Sequence, residues 1–268
     1  MNYSQKRGAL LEQGYPSVDS HLSRNLKGEN KWSFEMHQKP NGIPQKKAKY
    51  FGESSPHDLR DLERNAAKAT QCQLAKAASF LEQAFTGMKT AWFGGWALNL
   101  RGSLRETHDL SLLILAKDTP EIRSILEQYK WYDLAANRTV QERLFVDIGE
   151  EGQVVGANIT LSGELGTPKL DEAESYELIT PAFPTPQGSR VKVIHITWQV
   201  ETKLTAWFSN RKLSDLLDLQ FLLDTYKNEI SRWSQFLDKD MRETFYAVYI
   251  AAVEDEEKCK VAKETLSL

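Results

Sequence analysis

The stretch Ala91 to Leu115, AWFGGWALNLRGSLRETHDLSLLIL, constrains this chain more than any other part of it. Its last third, Leu110 to Leu115, is an aliphatic run and predicts a strand buried on both faces. Its first third holds an aromatic-flanked pair, Gly94-Gly95, followed by a short apolar run, Trp96 to Leu100, that predicts a short helix. Between them lie Arg101, Arg105 and Thr107, and Asp109 opens the strand. A glycine pair lets backbone approach a bulky anion, and a helix starting there turns free N–H groups toward it. An acid on the following strand can hold a metal against the same anion. The same residues also read as a tight turn, a buried helix and a buried strand that merely adjoin.

The rest of the chain supplies elements around that stretch. Residues 1–50 are polar, with Trp32, Phe34 and Met36 as their aromatic and thioether cluster, and predict a loosely ordered arm. Ser55-Pro56-His57-Asp58 starts a helix with Ser55 as N-cap. Apolar residues then recur at near-helical spacing from Leu59 to Phe85, so one helix is predicted to about Thr86, ended by Gly87. Thr90 to Phe93 is a short strand. Thr119-Pro120-Glu121 caps a helix over Ile122 to Tyr129. Arg143 to Ile148 and Val154 to Leu161 predict two strands joined by the hairpin turn Gly149 to Gly152. The segment after Pro168 reads as acidic and irregular to Gly188, and Arg190 to Ile196 as a half-exposed strand. From Trp198 the pattern is helical, ending in a charged helix over Glu254 to Lys263. The expected fold class is therefore α+β: a small mixed sheet flanked by helices over residues 51–196, followed by a helical part, 197–268.

The pattern GG-x-A-x-x-x-R-G-x-x-R-x-T-x-D resembles the signature of the nucleotidyltransferase fold, the DNA polymerase β-like superfamily. It is similar in particular to the minimal nucleotidyltransferases and AbiEii-type toxins. The resemblance covers roughly Asp58 to Leu223. It implies that Gly94 and Gly95 meet a nucleoside triphosphate, with Asp109 as the first acid of an Asp-x-Asp pair that holds Mg²⁺. Here that pair reads Asp109-Leu110-Ser111, so Ser111 stands at the second acid's place. The third acid belongs to a strand resembling VVGANITLSGELGTP, where Asn158 holds its position. Asp147, in Phe145-Val146-Asp147-Ile148, remains the rival candidate for that role and for a metal ligand. Serine and asparagine bring no charge to magnesium. Arg105 and Lys203 are implied as nucleotide contacts, Lys203 alternatively as an ion-pair partner of Asp218. Arg211, Asp215 and Asp218 have the spacing to meet on one helix face. His195 reads as a strand-end residue, and His108 as facing solvent beside Asp109.

Composition narrows the partners. The 268 residues carry a formal net charge of −3, so nothing favours broad binding of nucleic-acid backbone. Cys72 and Cys259 match no zinc or redox spacing. No apolar run is long enough to cross a bilayer, and the N-terminus lacks a signal-peptide core. A soluble, cytoplasmic protein is the expectation. Its incomplete carboxylate set implies binding of a nucleotide or small-molecule ligand with weak or lost nucleotidyl transfer. The alternative is an active enzyme that moves a nucleoside monophosphate from a triphosphate to a hydroxyl of a small molecule, protein or RNA. A protein partner engaging the N-terminal arm stays open.

Overall fold

The structure is a computed structural model that describes residues 55–65, 67–129, 132–136, 140–150, 153–186 and 188–268. The N-terminal arm, with Trp32, Phe34 and Met36, lies outside the described residues, as do Ala66 and the second half of the 149–152 turn. The described residues all fall within one compact unit, Lys47–Leu268.

Helices α1 (Pro56–Asn65) and α2 (Gln71–Ala84) replace the single helix predicted to Thr86. The break has a local cause. Thr70 is extended and forms a capping box with Gln73: its Oγ1 accepts from Gln73 N (3.3 Å), and its own N–H donates to Gln73 Oε1 (2.8 Å). Leu59 to Phe85 keep helical spacing across a new start, which periodicity alone does not register. Ser55 caps α1 as expected, its hydroxyl accepting from Asp58 N.

Strands β1 (Thr90–Trp92), β2 (Asp109–Ile114), β3 (Tyr132–Ala136), β4 (Gln141–Asp147), β5 (Val154–Leu161), β6 (Tyr176–Ile179) and β7 (Val191–Ile194) form one mixed sheet. Its order is β3-β4-β5-β2-β1-β7-β6, with β2/β5 and β1/β7 parallel and the other neighbours antiparallel. The fold class is α+β. One face of the sheet carries Leu110, Leu112, Ile114, Leu144, Val155, Ala157 and Ile159, which pack with Leu74, Ala77, Ala78 and Leu81 of α2. Between β2 and β3 lies α4 (Thr119–Leu126), capped by Asp118 rather than Thr119: Asp118 Oδ1 accepts from Glu121 N (3.0 Å). It lays Ile122 and Leu126 on the same core. The other face holds Ala91, Leu113, Ile194 and Leu170, with Trp198 against them.

Both edge strands, β3 and β6, fall where no strand was expected; both are short, and β6 has no buried period. Strand β7 is more buried than predicted. It lies between β1 and β6, so Val191, Val193 and Ile194 are covered and Lys192 alone within it is exposed.

The helical part comprises α5 (Ile196–Asn210), α6 (Leu213–Thr225), α7 (Lys227–Ile230), α8 (Lys239–Ala252) and α9 (Glu256–Thr265). Val200, Leu204, Trp207, Leu219, Leu222 and Phe245 build a second core. Leu98 of α3 (Gly94–Leu100) is fully buried in it, while Trp96, Ala97 and Leu100 of the same helix belong to the sheet core. Helix α3 therefore joins the two cores, with the glycine pair at its start. Among the described residues no helix is long and apolar enough to cross a membrane.

Candidate functional site

Chain geometry brings the expected residues to one window of the sheet. Asp109, Ser111 and Leu113 alternate onto one face of β2. Ser111 is in register with Asn158 of β5, and Asn158 with Arg143 of β4, so the three side chains form a row across adjacent strands. Asp109 lies opposite Gly156 on the neighbouring rung. These positions are the exceptions in otherwise covered strands. Within β5, Asn158 is half-buried and every other residue is buried; within β2, Asp109 is exposed and Ser111 half-buried. The sheet thus opens at this end of β2.

A cation already stands in that window. Arg143 Nη2 donates to Asp109 Oδ1 (3.2 Å), with the two side chains 18% and 50% exposed. The diagonal from Arg143 to Asp109 passes Gly156, which has no side chain to block it. Arg143 also lies over the ring of Phe145, its Cζ 5.8 Å from the centroid. Sequence reasoning missed Arg143. It sits in an amphipathic-looking strand, and its relation to Asp109 exists only through the β2–β5–β4 register.

The glycine pair adjoins the same window for packing reasons. Phe93 N donates to Ser111 O (3.0 Å), tying the turn to β2. Gly94 has φ +66°, and a Cβ there would stand 3.3 Å from Ser111 Oγ. A Cβ on Gly95 would meet Thr107 Oγ1 at 2.6 Å and Arg105 Nη2 at 2.8 Å. Gln199, fully buried on α5, donates from Nε2 to Gly94 O (3.1 Å) and so fixes the turn from the helical side. Nothing in the sequence marks Gln199, one polar residue in an amphipathic helix.

Arg105 and Lys203, implied as nucleotide contacts, are held by carboxylates. Asp218 is fully buried and accepts two hydrogen bonds from Arg105, through Nε and through Nη2 (2.9 Å). Lys203 Nζ lies 2.7 Å from Asp218 Oδ2 and donates to Asp215 Oδ1 (2.8 Å). Asn99 shapes the intervening loop, its Nδ2 donating to the carbonyls of Ser103 (2.9 Å) and Arg105 (2.7 Å). Lys203 makes the ion pair with Asp218 that the sequence offered as its other role. Arg211 does not meet Asp215. It ends α5 in the left-handed region (φ 53°) and stacks over Trp207 (4.2 Å) and Phe208 (4.8 Å).

The remaining candidates lie elsewhere. Asp147 Oδ1 accepts from Gly149 N (2.7 Å) in the β4–β5 turn. It is paired with Val154, two strands across from β2 and beyond its end, so the fold does not bring it to Asp109. His195 is the N-cap of α5, its Nδ1 accepting from Thr197 N, with Nε2 3.9 Å from Glu229. His108 is half-buried, 4.0 Å from the Glu106 carboxylate.

A pair of divalent cations does not fit this donor set. Among the described residues the window offers the Asp109 carboxylate, the neutral oxygens of Ser111 and Asn158, and a guanidinium against the carboxylate's Oδ1. Magnesium binds through carboxylate and phosphate oxygens in near-octahedral geometry, and a fixed positive charge beside Asp109 opposes it. Among the described residues no group of three or more His, Cys, Asp or Glu side chains is arranged to hold a metal ion.

No protein-family model matches the chain, and neither does any curated protein. Solved structures do. A protein of H. pylori with a provisional nucleotidyltransferase name is similar over 74% of this chain and 93% of its own, at 16% identity and TM-score 0.47. The antibiotic-resistance factor ANT(2″)-Ia is similar over 67% of this chain and 92% of its own, at 11% identity and TM-score 0.44. The lincosamide antibiotic adenylyltransferase LnuA, solved with lincomycin bound, is similar over 58% of this chain and 98% of its own, at 13% identity and TM-score 0.40.

Proposed function

We propose that this chain is a nucleotidyltransferase-like protein that binds a nucleotide, or another small phosphorylated molecule, at the window beside Gly94-Gly95, with nucleotidyl transfer weak or lost. One observation carries the reading: Arg143 lies against Asp109 in the row where Ser111 and Asn158 replace the acids the resemblance implies. A half-open polar window in a covered sheet supports ligand binding, because burying polar groups beside empty apolar surface would cost stability without return. Loss of two carboxylates argues against transfer. Two divalent ions need that charge to sit together, and several kcal/mol of lost metal binding would remove orders of magnitude in rate, each ~1.4 kcal/mol being tenfold. Asp109 and Asn158 bind and orient the ligand in this reading, with the glycine turn beside its phosphates.

Titration calorimetry with the four ribonucleoside triphosphates tests it. Saturable binding of at least one, abolished when Asn158→Leu and Ser111→Leu close the window, is the expected result. Absence of heat with every nucleotide would refute it.

A further inference from the structure

We propose that the cleft between α8 and α9 docks a second copy of this chain, the two copies related by a two-fold axis. The cleft encloses about 490 Å³ and none of the window residues lines it, so the proposal stands apart from the ligand reading. Its two walls share one spacing. Tyr246, Ile250 and Val253 line it from α8 and its C-cap, and Glu256, Lys260 and Lys263 from α9, each set at i, i+4 and i+7 on one helix face. The floor is apolar: Tyr246, Val253 and Cys259 pack on the helical core, and Ile250 is left 46% exposed. An open isoleucine over such a floor, rimmed by charges, fits a docking surface.

The rim favours a second copy as the occupant. Charge runs in order along α9, with Glu256 in the first turn and Lys260 and Lys263 following; Lys263 lies about 10 Å along the axis from Glu256 at the rise of a helix, and Glu254 stands just before it. These acids and lysines are exposed, and among the described residues no ion pair holds them. Because the acids and lysines are equal in number, a partner of one sign meets repulsion at one end or the other. The reversed copy does not. A two-fold axis across the cleft sets the acidic end of one protomer on the basic end of its partner and brings the two Ile250 side chains toward each other. A small apolar centre within a charged rim fits association in the micromolar range rather than an obligate dimer.

The test is sedimentation equilibrium of the full chain from about 1 to about 200 µM, with melting curves as the check of folding. Wild type is expected to rise from 30.6 kDa toward twice that mass across the range. The double variants Lys260→Glu/Lys263→Glu and Glu254→Lys/Glu256→Lys each give the rim a single sign, and each alone is expected to dimerise about tenfold or more weakly than wild type. An equimolar mixture of the two is expected to recover dimers, because an all-acidic cleft then faces an all-basic one. Ile250→Glu, which leaves the rim charges in place, is expected to weaken dimerisation as well, and it decides the matter should either double variant fail to fold. A wild-type chain that stays monomeric at every concentration would overturn the proposal and leave the cleft to a different partner. Dimers that survive all three variants would overturn it too, since they would form through another surface.

Discussion

Gly95 is the residue on which the window's shape turns. Its missing side chain lets Thr107 and Arg105 close over the start of α3, where a Cβ would stand 2.6 Å and 2.8 Å from them. Arg105 has little freedom to retreat, since Asp218 grips its guanidinium at two points. Gly95→Ala is therefore expected to destabilise the fold by about 1–3 kcal/mol, the usual range for overpacking. Chemical denaturation measures it, and a change below a few tenths of a kcal/mol would mean that the loop yields freely. The glycine pair was legible in the sequence as a turn at the start of a short helix. That each glycine is also required by a neighbouring side chain was not, because Ser111 and Thr107 reach it only through the sheet. Asp109, Ser111 and Asn158, singled out in the sequence, lie near one another because strand alternation and the β2–β5 register place them so. Arg143 escaped because a basic residue in a strand carries no mark of what lies two strands away.

At the scale of elements, the buried carboxylate of Asp218 holds the loop after α3 to helices α5 and α6 through Arg105 and Lys203. Asp218→Ala leaves both cations without that partner and is expected to cost about 3–5 kcal/mol. Lys203→Met keeps the paired Arg105 contact and is expected to cost about 1–3 kcal/mol. Equal losses in urea unfolding would show that Arg105 is not the principal partner. A second element-scale effect depends on pH. Glu82 of α2 is largely buried and accepts from Trp92 Nε1 of β1 (2.6 Å), and burial holds its pKa above the ordinary 4.5 despite that bond. The folded chain thus binds the proton more tightly than the unfolded chain, and stability falls as pH rises from 4.5 through the raised folded value. Glu82→Gln keeps an acceptor for Trp92 without the charge. Its melting temperature is expected to exceed wild type at neutral pH, with the gap narrowing as pH drops below 4.5; a gap independent of pH would contradict the assignment. The sequence missed the break between α1 and α2 for a related reason. A capping box at Thr70 restarts the helix in phase, so periodicity runs on across the gap.

Over the whole molecule, the order of a mixed sheet followed by helices was readable from hydrophobic patterns, because long aliphatic strands and amphipathic helices declare their burial. The edge strands β3 and β6 were not, since short edge strands owe their conformation to a partner rather than to their own pattern. Helix α3 gives the molecule its unity: Leu98 enters the helical core while Trp96 and Leu100 enter the sheet core, and the glycine turn at its start faces the window. The polar opening at Asp109 lies beside that turn, and the proposed function rests on which charges it holds. The measurement that tests this most directly is incubation of the purified chain with α-phosphate-labelled nucleoside triphosphates and Mg²⁺ or Mn²⁺, alone and with hydroxyl-bearing acceptors. Label transfer no greater than in a denatured control, with nucleotide binding intact, is the expected result. Metal-dependent transfer that disappears in Asp109→Ala would contradict it.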